Sequence, residues 1–129
     1  MDTLFLIGRL LYGGFFLVAG AKHFVRLRAT ASRAASRDVP APTFMALVSG
    51  LLAVQGGASL VLGFRPELGV LMLMAFLVPV SVVMHAFWRD EDPAVRASNR
   101  GDFFRNAALA GAALMFLAIP RPWPWSVPW

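Results

Sequence analysis

The chain has no cysteine, two histidines, one tyrosine and seven acidic residues in 129. Without thiols it cannot form a disulfide, a thiolate metal site or an iron–sulfur cluster, so any redox chemistry must be borrowed from a bound partner. None of the carboxylates falls inside an apolar run, and two histidines alone do not make a standard zinc site. No serine has an evident base, and no glycine-rich loop has phosphate-binding spacing. No catalytic residue and no metal ligand are therefore assigned. What is present instead is grease: 58% of the residues are apolar, and the mean hydropathy is +0.65. That composition excludes an ordinary soluble domain and points to a membrane protein.

Four apolar runs stand out, Leu4–Ala21, Phe44–Phe64, Leu68–Trp88 and Phe103–Ile119. Four spans of about 20 residues consume roughly 80, so the expected architecture is all-α, a single transmembrane four-helix bundle with no room for a soluble domain. The first run carries Asp2 ahead of it and Arg9 inside it, and so reads as a span and not as a cleaved leader, despite Ala19-Gly20-Ala21. Between the first two runs lies a basic connection, 22–42, able to lie as a helix on the membrane surface. Asp102 is placed to cap the last helix. The tail from Pro120 to Trp129 has too many prolines for a helix, and its three tryptophans suit the headgroup region.

Lys22, Arg26, Arg28, Arg33 and Arg37 share one face with Arg89, Arg96 and Arg100, whereas Arg65 and Arg121 lie on the other. These bases read as topology signals, not as a nucleic-acid site, and put both termini outside the cytoplasm. Gly13 and Gly20, Gly50 and Gly57, and Gly56 and Gly63 are each seven apart, which places each pair on one helical stripe for close packing.

Polar side chains at membrane depth each need a partner, a wet cavity or a route to the interface. Arg9 is expected either to snorkel outward or to turn inward past Gly13 toward Gln55, a ligand or a backbone carbonyl. On the cytoplasmic side Lys22, Ser81, His85, Asp102 and Asn106 come to similar depth, with Ser81 and His85 at i, i+4. The candidate ligand-binding residues are thus Arg9, Lys22, Gln55, Ser81, His85 and Asn106. His23 and His85 lie on the same side, but His23 falls just past its span, a weak basis for bis-histidine haem.

In order and spacing, Gly8-Arg9-Leu10-Leu11, Ala19-Gly20-Ala21-Lys22-His23-Phe24, Gln55-Gly56-Gly57, Leu62-Gly63-Phe64, His85 and the run Phe103 to Gly111 resemble the DoxX family of small four-helix membrane proteins. The resemblance implies an integral membrane protein, and roles described for similar proteins include the quinone-facing subunit of a thiosulfate:quinone oxidoreductase and a membrane partner in redox-stress complexes. Where relatives carry glutamate in the second helix, Gln55 removes a potential proton carrier. The expectation is a non-catalytic subunit or scaffold with an intramembrane pocket for quinone or lipid and no covalent cofactor. Its expected partners are membrane lipid, a membrane or redox protein and further copies of itself. A catalytic subunit of a quinone-dependent oxidoreductase and a small-solute transporter are the alternatives.

Overall fold

The computed structural model describes residues 1–128. Helix α1 covers Asp2–Val25, α2 Leu27–Ala35, α3 Pro42–Leu62, α4 Pro66–Pro79 and α5 Pro93–Met115. A π-helical turn, Val80–Met84, continues α4, and short 3-10 turns occupy Phe87–Arg89 and Phe116–Ala118. The described residues are helical or irregular, with no strand. Among the described residues three segments are long and apolar enough to cross a membrane: Asp2–Val25, Pro42–Leu62 and Pro66–Arg89.

The fourth expected span differs. Helix α5 starts ten residues before Phe103, and its first half carries Arg96, Arg100 and Asp102, with Arg105 just after, so only its later part is continuously apolar. Its cap is Asp92, whose side chain accepts from the Ala94 amide at 2.8 Å ahead of Pro93 in the first turn. Asp102 is a mid-helix residue paired with Arg105 at 3.1 Å, not a cap.

Helices α1, α3, α4 and α5 pack in that order around Phe16, Ala53, Leu60, Leu73, Leu77 and Ala113. The glycine stripes set the first two interfaces. A Cβ on Gly13 would lie 2.7 Å from the Gly57 carbonyl, and one on Gly20 would lie 2.8 Å from that of Gly50. Gly56 meets Gly69 of α4 in the same way, at 3.0 Å. Gly63 departs from the stripe reading, because α3 ends before it and its φ of +66° makes it the left-handed cap. Tyr12 Oη donates to the Leu109 carbonyl and joins α1 to α5.

Helix α2 packs on α3 through Ala31 and Ala34, which agrees with a helical basic connection. The tail is placed differently from expectation. Trp123 is 3% exposed, edge-on to Phe5 at 5.0 Å and tilted against Phe116 at 5.6 Å. An aromatic slot between α1 and the end of α5 captures the ring that a headgroup belt would have held, while Trp125 stays exposed. Trp129 lies outside the described residues.

Candidate functional site

The polar residues divide between the two ends of the bundle. At the end where α3 turns into α4, Arg9 is 1% exposed and points inward. Its Nη2 donates to the Trp125 carbonyl at 2.7 Å, and its guanidinium lies 5.9 Å from the ring centres of both Phe5 and Trp123. Trp125 lies outside any helix, so its carbonyl carries no intrahelical bond and is free to accept from Arg9. Gln55 does not join Arg9. It is exposed, and Arg9 Nη1 instead lies beside Gly63, 2.8 Å from where a Cβ would be. Eight residues of α3 separate the two positions, about 12 Å along the axis.

At the opposite end a cleft of about 770 Å³ opens between α2, α3 and the α4–π segment. Its walls include Met45, Val48, Leu52, Phe76, Val80 and Val83, and its polar lining includes His23, Arg33, Arg37, His85 and Arg89. Pro79 creates one wall. Lacking an amide hydrogen, it loosens α4 into the π turn, where Ser81 donates back to the Leu77 carbonyl at 2.7 Å. Because the turn is wider than an α-helix, Ser81 and His85 no longer share a face: Ser81 is buried on that carbonyl, and His85 lines the cleft.

Both histidines are held in one tautomer. Ser49 Oγ gives its hydrogen to the Ala46 carbonyl at 3.0 Å, so it accepts at 2.8 Å from His23 Nδ1. Asn99 Nδ2 donates to Asp90 at 2.7 Å, which leaves its Oδ1 to accept from His85 Nδ1 at 3.3 Å. In each ring the hydrogen sits on Nδ1 and Nε2 is left as an acceptor. Asp102 lies 3.7 Å from His85 Nδ1 and reinforces the same orientation.

Two ion pairs clasp the mouth. Arg37 donates to Asp90 at 3.0 Å, and Arg89 reaches Asp38 at 3.5 Å, tying the end of α2 to the segment after the π turn. The Asn99 hydrogen bond and then the Arg37 charge hold the Asp90 carboxyl below the ordinary carboxylate range. Arg33 lines the mouth without an ion-pair partner among the described residues.

Of the candidate ligand-binding residues, only His85 lines this cleft, joined there by His23, which the sequence offered only as a weak haem ligand. Lys22 is exposed, and its side chain makes no hydrogen bond among the described residues. Asn106 is 6% exposed but does not meet His85; Asn99, two turns earlier on α5, takes that place. Sequence reasoning missed Asn99, Asp90, Arg37, Arg33 and Ser49. The available signal was Asp92-Pro93, a cap followed by a first-turn proline, which starts α5 early enough to put Asn99, Asp102 and Asn106 on one stripe.

Fold and cleft together define a small helical membrane protein with an amphipathic cleft at one end. The DoxX family model matches residues 4–86, and the chain belongs to that family. The matched region contains α1 to α4, both histidines and the walls of the cleft, while α5 and the tail lie beyond it. No curated protein and no solved structure matches the chain.

Proposed function

We propose that this DoxX protein is a non-catalytic subunit or scaffold of a membrane complex, and that its cleft receives a lipid-like molecule of the quinone or quinol class. The observation that carries the reading is the cleft itself: an apolar interior of about 770 Å³, with two histidines and unpaired Arg33 at its polar lining. That volume lies within the range of small-molecule sites. A quinol hydroxyl finds an Nε2 acceptor on either histidine, a carbonyl finds the guanidinium of Arg33, and an isoprenoid chain finds the Met45, Leu52 and Val83 walls. The basic face that carries α2 is cytoplasmic under the positive-inside bias, so the head of the molecule sits toward the cytoplasm, with both termini outside and the protein in a bacterial inner membrane.

Extraction of the protein purified in mild detergent is expected to yield a quinone in near one-to-one amount. Ala75→Trp, which puts an indole into the cleft, should remove it, and His85→Ala should lower its retention roughly 10-fold, the worth of one buried polar contact. Equal quinone content in Ala75→Trp and the unaltered protein would sink the reading. A co-purifying protein whose association survives Ala75→Trp would support the scaffold half alone.

A further inference from the structure

The other end of the bundle holds a second built site, independent of the cleft. A groove of about 350 Å³ runs between α1 and the end of α5, with Gly8, Arg9 and Tyr12 on one side and Ala112, Met115 and Phe116 on the other. Its lining is almost wholly apolar apart from Arg9. Arg9 is buried, yet its Nε and Nη1 have no acceptor among the described residues, and no carboxylate of the described residues pairs with it. A buried guanidinium with one carbonyl and two ring faces is short of both hydrogen-bond acceptors and negative charge.

We propose that Arg9 anchors the carboxylate of a single-chain fatty acid whose hydrocarbon lies in the α1–α5 groove. Nη2 carries two hydrogens and gives one to the Trp125 carbonyl, so its second, together with the unpartnered Nε or Nη1 beside it, leaves one edge of the guanidinium open to the two oxygens of a planar carboxylate. Arg9 lies seven residues past Asp2, about 10 Å into α1, deeper than the interface where a phospholipid phosphate rests. The groove has less than half the volume of the cleft and holds one chain, not a pair. Gly8 supplies the way in: a Cβ there would meet nothing within 4 Å, so α1 leaves open space beside the arginine.

The test uses the full chain, delipidated in detergent and titrated with hexadecanoate, hexadecanol and hexadecyl phosphate. Stoichiometry is read by native mass spectrometry, and proximity by quenching of tryptophan fluorescence with brominated hexadecanoate, since Trp123 lies against Arg9. One hexadecanoate per chain is expected, with hexadecanol roughly 10-fold weaker or worse. Because Arg9→Gln removes an anchor of the tail and can disturb folding, the deciding variant is Gly8→Leu, which fills the gap and keeps the charge. It should weaken hexadecanoate roughly 10-fold with an unchanged circular dichroism spectrum. Ala75→Trp, at the far end, should leave this binding unaltered whether or not the cleft holds quinone. Absence of binding, equal binding of the alcohol, tighter binding of the phosphate, indifference to Gly8→Leu or loss through Ala75→Trp would each overturn the assignment.

Discussion

Gly57→Ala should lower the thermal stability of the detergent-solubilised protein by about 1–3 kcal/mol, the usual cost of forcing extra volume into a packed contact. The added Cβ would stand 2.6 Å from the Gly13 carbonyl oxygen and 3.1 Å from the Leu17 amide nitrogen, and both atoms belong to the backbone. No rotamer change relieves such a clash; α1 and α3 have to separate. Among membrane helices that separation is expensive, because apolar surface gains nothing by leaving lipid and the association rests on close van der Waals contact. Gly14→Ala serves as the control. It lies one position from Gly13, yet its Cβ would meet nothing within 4 Å, so it should be neutral or stabilise by up to about 1 kcal/mol through helix propensity. Indistinguishable melting of the two variants would show that the approach of α1 to α3 does not hold the bundle.

That these glycines form packing faces was legible, because Gly13 and Gly20, like Gly50 and Gly57, lie seven residues apart and a helix converts the interval into a stripe; that the first stripe meets the second was not. The apolar helices were legible for the same reason, since hydrocarbon imposes one length and one composition on whatever crosses it. The first half of α5 was hidden because Arg96, Arg100 and Asp102 erase the apolar signal over residues that are nonetheless helical. The inward turn of Arg9 was legible as one of two options, and a backbone carbonyl was among its foreseen acceptors. That the carbonyl belongs to Trp125, 116 positions away, was not. The slot for Trp123 comes from Phe5 and Phe116, brought together only by packing α5 near α1. The cleft was invisible for a related reason. Its mouth depends on Arg37 meeting Asp90 across 53 positions, and a charge in a loop carries no periodic mark of the partner it will find.

Asp90→Asn should release α2 from the cleft mouth, raising amide hydrogen exchange across Leu27–Ala35 while leaving α3 protected. One carboxylate accepts from Arg37 with one oxygen and from Asn99 with the other, so it connects the α2 clasp to the orientation of His85. An amide in its place loses the charge that holds Arg37, and its nitrogen faces donors where acceptors are needed. His85 then loses the fixed partner of its Nδ1, and quinone retention should fall together with the protection of α2. The pH dependence has a definite sign. The Asp90 carboxyl lies below its ordinary value of 3.8 when folded, so its contribution is complete above that value and disappears as pH falls from there through the lowered one. In the unaltered protein α2 should stay docked through neutral and mildly acidic solution and come loose only below the ordinary carboxylate range. In Asp90→Asn it should be loose throughout, with no step on acidification. An exchange profile of Leu27–Ala35 that is identical in both proteins at neutral pH would show that α2 is held by Ala31 and Ala34 against α3 and by the Arg89–Asp38 pair, and that the Arg37–Asp90 clasp does not govern the mouth.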